Sequence, residues 1–339
     1  MRDWPSFIDE HKQLIAAAAR CESFDDPATI ARLRKRGDAE AVRHAIDLVI
    51  ARRKAAAKFD RADELIADAQ AIEQASSREV AAHKAQRLAI RGIDHIIDLC
   101  CGIGGDAMAL AKIADVTLID RDADRAWAAR HNVHLATGRT CPAAAADVTA
   151  LNLNNRVIHI DPARRGGGRR RHRYEDYEPS PSFIEAMLAR NPTAAIKLGP
   201  GVDIDVLPDG EVEFISEADT LVQAVLWTGR LRSGQRSATV LPIDVTLTGQ
   251  PDVMPPISPA RGYLLAIDPA VERASLIAAL CDRLNATCIH PKLGLLTADQ
   301  PITSPFVTTY RRLESMPYHA RKVKDWLTAH DAGIVTIKT

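Results

Sequence analysis

Along the first ninety residues, apolar side chains return at helical spacing. Val42, Ile46, Val49 and Ile50 fall on one face of a segment that Asp38 is placed to cap. Ser76 and Glu79 form a capping-box pair ahead of Val80, Ala81, Lys84, Ala85 and Leu88, which again share one face. Alanine is frequent here and β-branched runs are few. Residues 1–91 are therefore expected to form an all-helical lobe.

From Ile93 the texture changes. HIIDLC (95–100) and ADVTLID (114–120) are compact β-type runs, each followed by a helical stretch. Further runs are 141–146 (weaker), RVIHID (156–161), AAIKL (194–198), EVEFIS (211–216) and LVQAVLW (221–227). Strands alternating with helices predict an α/β fold with a mainly parallel, doubly wound, Rossmann-like sheet over 92–255. The last two runs leave no room for a crossover helix and are expected to pair antiparallel at one edge. Prolines 251, 255, 256 and 259 mark a linker. A smaller α/β module over 256–339 is expected beyond it, with strands at 263–268 and 333–338 and a helix over 271–284.

Composition narrows the class. Of 339 residues, 46% are hydrophobic and 26% charged, as in ordinary globular proteins. Lys and Arg total 44, as do Asp and Glu, so any pull towards nucleic acid must be local. The N-terminus has no apolar signal core and no stretch reaches bilayer length, which makes the cytoplasm the expected location and a membrane partner unexpected. Six cysteines show no C-x-x-C or Cys/His spacing and read as reduced thiols. His131 and His134 share a helical turn without a third ligand nearby, so no metal is expected.

The chemistry begins at DLCCGIGGDAMALA (98–111), a glycine loop between a predicted strand and helix. Cys100, Gly102 and Gly104 shape a loop that lets backbone approach a ligand. Asp120, ending the second strand, is placed to accept hydrogen bonds from both ribose hydroxyls, and Asp147, after the third, to meet an adenine amine. The glycines alone also suit a dinucleotide. Asp98, just before the loop, discriminates: it would repel a pyrophosphate and attract the ammonium of S-adenosyl-L-methionine. For each acid, a helix cap or turn is the competing reading.

The fourth strand runs into DPARRGGGRRRHRYEDYEPS (161–180). Asp161 and the turn at Pro162 are the expected catalytic pair, offering two acceptors that orient an amine on a planar ring. Six arginines follow within ten residues. Arg164, Arg165, Arg169, Arg170 and Arg171 are candidate phosphate contacts, and Tyr174 and Tyr177 candidate stacking partners for a base. Glu175, Asp176 and Glu178 are placed to neutralise part of this cluster. Lys197, interrupting an apolar strand, either reaches the ligand end of the sheet or snorkels from an edge.

The glycine loop, the Asp-Pro-Ala-Arg-Arg-Gly-Gly loop with its YEDYEPS tail, the lead-in IEQASSREVAAHKAQR (72–87) and the strand IKLGPG (196–201) carry a resemblance. Together with YLLAIDPAVERA and HPKLGLLT they resemble bacterial class I S-adenosylmethionine-dependent methyltransferases that end in a THUMP-like module. These are related to the RNA-cap trimethylguanosine synthase group. The resemblance covers most of the chain and implies methylation of an exocyclic guanine amine in RNA. Ala163 and Arg164 stand where the cap enzymes show proline and tryptophan, which speaks against a cap substrate. A catalytically silent RNA-binding protein and a methyltransferase for a small acidic metabolite stay open, and a nicotinamide-dependent oxidoreductase has the least support.

Overall fold

The computed structural model describes residues 4–164 and 173–337, and of Arg164 only the backbone. They fall into two compact units: the chain up to 212 with 223–233, and 213–222 with the chain from 234 onward.

The first unit opens with α1 (Trp4–Glu10), α2 (Lys12–Ala19), α3 (Pro27–Leu33), α4 (Ala39–Ala55), α5 (Ala69–Gln74) and α6 (Arg78–Ile90). Side chains of Asp26, Asp38, Asp68 and Ser77 cap α3 to α6 by accepting otherwise unpaired backbone N–H groups. Leu14, Leu33, Leu48 and Val49 close the core beneath them. The expected capping box is not formed: the N-cap is Ser77 rather than Ser76, and Val80 stands at the position where a box needs Glu or Gln. Ser77, in extended backbone, accepts from Val80 N at 3.2 Å, which releases Ser76 for another task.

Next come β1 (His95–Leu99), α7 (Ala107–Ile113), β2 (Asp115–Asp120), α8 (Ala123–Thr137), β3 (Ala143–Ala145) and β4 (Ile158–Ile160). They are followed by β5 (Ala163–Arg164), β6 (Tyr177–Glu178), α9 (Pro181–Arg190), β7 (Ala194–Leu198), β8 (Glu211–Glu217) and β9 (Thr220–Trp227). The sheet of this unit has the order β9-β7-β4-β1-β2-β3. All its pairs are parallel except β7 with β9, which is antiparallel; the antiparallel pair expected from the sequence is a different one, β8 with β9. Ile96, Leu99, Leu118, Ile158, Ile160 and Ile196 are fully enclosed, as strands covered on both faces require. β1 lies between β2 and β4, so the winding reverses there and leaves a crevice at the carboxyl ends of β1 and β4.

In the second unit, β8 joins β10 (Arg236–Leu241) and β11 (Val245–Gly249) in the order β11-β10-β8. A separate antiparallel sheet is built from β12 (Tyr263–Ile267), β13 (Thr287–His290), β14 (Leu295–Ala298) and β15 (Val307–Arg311). The proline-rich stretch joins β11 to β12 within this unit. The helix expected over 271–284 divides into α10 (Pro269–Arg273) and α11 (Ile277–Leu284), separated at Ser275, where φ is +56°. Residues 333–337 form no strand; β15 takes the place beside β12 instead, and α12 (Ala320–Ala329) follows. Among the described residues no helix is long and apolar enough to cross a membrane.

Asn132 of α8 ties the helical lead-in to the sheet. Fully buried, it accepts from Ile66 N (2.9 Å) and donates to the carbonyls of Ile66 (3.0 Å) and Ile103 (2.9 Å). Asn132→Leu would strand three buried backbone groups. Chemical denaturation should show a loss of about 3 kcal/mol or more, at 1–3 kcal/mol per orphaned group. A loss below about 1 kcal/mol would mean the tie contributes little.

Candidate functional site

Immediately after β1 the backbone turns left-handed three times, at Cys100 (φ +57°), Gly102 (+56°) and Gly104 (+83°). Gly104 has a second constraint: a Cβ there would lie 3.1 Å from Ala129 Cα and 3.2 Å from its carbonyl oxygen. At Gly102 a Cβ would meet nothing within 4 Å, so that part of the loop faces open space. Cys100 bears a side chain in this conformation, and burial pushes its thiol far up.

Asp120, at the end of β2, draws the loop in. Its Oδ2 accepts from Gly102 N at 2.9 Å and its Oδ1 from Asp122 N at 3.0 Å. Each carboxylate oxygen retains a second lone pair for a ligand hydroxyl. Asp147 follows β3 on the surface and caps the turn Val148–Ala150, accepting from Thr149 Oγ1 (2.7 Å) and Thr149 N (2.9 Å). Those two bonds hold its carboxyl below the usual range. The capping role weighed for this residue from sequence is thus present.

Asp98 lies beneath the loop. Its carboxylate is 2% exposed and its Oδ1 meets His159 Nδ1 of β4 at 2.6 Å, so it is enclosed rather than open to the ammonium it was expected to attract. His159 Nε2 lies 3.6 Å from Asp106 Oδ2, just past the loop. Asp106 pairs with Lys84 of α6 at 2.6 Å and accepts from Ser76 Oγ at 3.0 Å, and Ser76 Oγ also meets Gln223 Oε1 at 3.1 Å. Burial pushes the Lys84 ammonium down and the Asp98 carboxyl up. Burial would raise Asp106 too, but Lys84 and His159 outweigh it and hold that carboxyl well below its ordinary range. Ser76, Lys84, Asp106, His159 and Gln223 were not among the expected site residues. The signal for two of them was available: a lysine on the apolar stripe of α6 and a histidine inside an apolar strand.

The other wall follows β4. Asp161 N donates to Leu99 O at 3.2 Å, which lays the start of the D-P-A-R loop across the end of β1. Pro162 is buried, and the Asp161 side chain is 36% exposed. Lys197, near the carboxyl end of β7, pairs with Asp161 Oδ2 at 2.7 Å and donates to Gln74 O at 3.0 Å.

β5 and β6 then pair antiparallel, Ala163 with Glu178 and Arg164 with Tyr177. Arg165, Arg169, Arg170 and Arg171 lie outside the described residues, as does the Arg164 side chain. Tyr174 and Tyr177 are not base-stacking platforms. Both are buried, with ring centroids 6.0 Å apart, and Tyr177 Oη accepts from Gly199 N at 2.7 Å. Glu178 pairs with Arg121 at 2.9 Å. Among the described residues no group of His, Cys, Asp and Glu is arranged to hold a metal ion.

No protein-family model matches the chain. It is 31% identical over 278 residues to an uncharacterized S-adenosylmethionine-dependent methyltransferase of Mycobacterium tuberculosis, covering 79% of this chain and 75% of the relative. The figures are the same in strains CDC 1551 / Oshkosh and ATCC 25618 / H37Rv. A solved structure from Porphyromonas gingivalis W83, provisionally described as a methyltransferase, has the same fold. Its TM-score is 0.70 at 19% identity, over 94% of this chain and 86% of that one.

The two loop glycines should respond differently to a methyl group. Gly102→Ala incurs only left-handed strain, about 1 kcal/mol. Gly104→Ala adds the collision with α8, and about 2–4 kcal/mol is expected. Urea denaturation of both variants is the check, and equal losses would show that the approach to Ala129 does not constrain Gly104.

Proposed function

We propose, from the premise that the chain belongs to the S-adenosylmethionine-dependent methyltransferases, that it methylates an exocyclic amine of a guanine in RNA. Its cofactor is S-adenosyl-L-methionine, which when bound supplies an electrophilic methyl group on a sulfonium. The loop fits such a group: Gly102 opens to space beside Asp120, which keeps lone pairs for the ribose hydroxyls. Cys100 and Gly104 shape that loop, Asp98 supports it from below, and Asp147 stands one strand further on for the adenine amine.

The observation that carries the reading is the placement of Asp161 across the end of β1. Lys197 occupies its Oδ2, which leaves Oδ1 to accept one N–H of the substrate amine while the Pro162 carbonyl accepts the other. Two acceptors aim the nitrogen lone pair, a gain in proximity and orientation. The amine sheds its proton after the new C–N bond forms, so a carboxylate suffices. The arginine-rich segment follows Asp161 in the sequence, between β5 and β6, which supports a phosphate-bearing substrate.

Asp120→Ala should weaken S-adenosylmethionine binding ten- to a hundredfold in calorimetry, the equivalent of about 1.5–3 kcal/mol. Asp161→Ala should leave that affinity nearly intact while lowering methyl transfer about a hundredfold or more. Mass spectrometry of RNA nucleosides from cells with and without the protein should show one N-methylguanosine lost. Normal turnover by Asp161→Ala would sink the amine clamp.

Salt tests the arginines. Each phosphate neutralised on a single strand contributes about −0.7 to the slope of log affinity against log salt, and a slope near −2 is expected from this segment. Replacing Arg169, Arg170 and Arg171 with alanine should flatten it while cofactor binding persists. An unchanged slope would move the RNA contact elsewhere.

A further inference from the structure

Among the described residues of the first unit Lys84 is the most deeply buried cation, on the same helix as the buried Val80, Ala81, Ala85 and Leu88. Stability alone does not explain it. Replacing a buried ion pair with apolar side chains of similar volume is often neutral or stabilising. What the pair does that apolar packing would not is hold Asp106 at one point.

That point matters because of what precedes it. The loop from Cys100 to Gly104 has three left-handed residues, one of them not glycine, and such backbone persists only where its surroundings over-determine it. Asp106 anchors the loop's far end. Lys84 holds Oδ1 from α6, Ser76 holds Oδ2 from the preceding turn, and His159 of β4 faces Oδ2 at 3.6 Å. The same turn abuts the loop: a Cβ at Gly105 would lie 3.1 Å from Ala75 Cβ. Asp98 stands behind His159, and the Lys197–Asp161 pair is the other charge that reaches Lys84.

We propose that Lys84 is a positioning residue for cofactor binding, clasping the glycine loop in its ligand-ready shape through Asp106. The helical lead-in is thereby a working part of the cofactor site. The inference rests on S-adenosylmethionine as cofactor and is independent of which substrate is methylated.

Calorimetry of the full chain with S-adenosylmethionine between about pH 5.5 and 8.5 tests it. Lys84→Met leaves a buried carboxylate without its cation, so burial raises the Asp106 pKa. Affinity should fall at least tenfold at neutral pH and recover as pH drops and Asp106 takes up a proton. Asp106→Asn strands the ammonium instead and should give the mirror image, with affinity recovering as pH rises and Lys84 loses its proton. The double variant removes both charges and should return to within about threefold of the wild-type affinity, without either pH step.

A purely structural role would lower the melting temperature without these opposed pH profiles. Wild-type affinity in Lys84→Met at every pH, or a double variant no better than the singles, would overturn the proposal. If Lys84→Met does not fold, Asp106→Asn decides alone, and undiminished, pH-independent affinity in it overturns the clasp. A wild-type protein that binds no S-adenosylmethionine would overturn the cofactor reading itself. Loss of guanine methylation from the picture, with these titrations as described, would touch only the substrate.

Discussion

A charge taken out of water must be met by an opposite charge, and in this protein the two come from different parts of the chain. The Lys84 ammonium is 1% exposed and the Asp106 carboxylate 6%. Neither tolerates the interior alone, because the desolvation penalty of each ion amounts to several kcal/mol. One belongs to a helix of the lead-in and the other to the turn after β1. The lead-in therefore cannot withdraw from the sheet without leaving a bare ion behind.

The same device recurs on the other wall of the crevice. Lys197 on β7 holds Asp161 just past β4, and its remaining reach goes to the carbonyl of Gln74 at the end of α5. The turn between α5 and α6 thus touches both walls: Ser76 meets Asp106 on one side, and Gln74 meets Lys197 on the other. Two lysines from two elements fix two aspartates, one past the loop that follows β1 and one just past β4. The reversal of winding makes the crevice, and these pairs set its walls.

Much of this was legible in the sequence because strands and loops of this kind obey local rules. Parallel strands buried on both faces read as continuous apolar runs, and β1, β2, β7 and β9 stand within a residue or two of where such runs predict them. Asp98, Asp120 and Asp161 sit at strand ends because the glycine loop and the Asp-Pro turn mark those ends. What escaped was non-local. Ser76 looked like a cap, and only the backbone at Ser77 shows that its neighbour took that role. Tyr174 and Tyr177 looked available for stacking, but Tyr177 is spent on the N–H of Gly199, twenty-two residues away. The second unit was read least well. Its strands are short and its pairings antiparallel, so no apolar run separates Val307–Arg311, which forms a strand, from residues 333–337, which do not.

The ribbon of β5 and β6 consists of two paired positions, and its two ends are secured independently of what lies between them. Pro162 is buried on the way in, and Tyr177 is locked to Gly199 on the way out. Such a frame works as a socket. Exchanged residues between its two ends leave the anchoring contacts, the buried Pro162 and the bond from Gly199 N to Tyr177, as they are. Selection can therefore rewrite that stretch of sequence while the glycine loop, held by separate groups, stays as it is. Descendants of one ancestral chain can part company in that stretch long before they differ in the loop that follows β1.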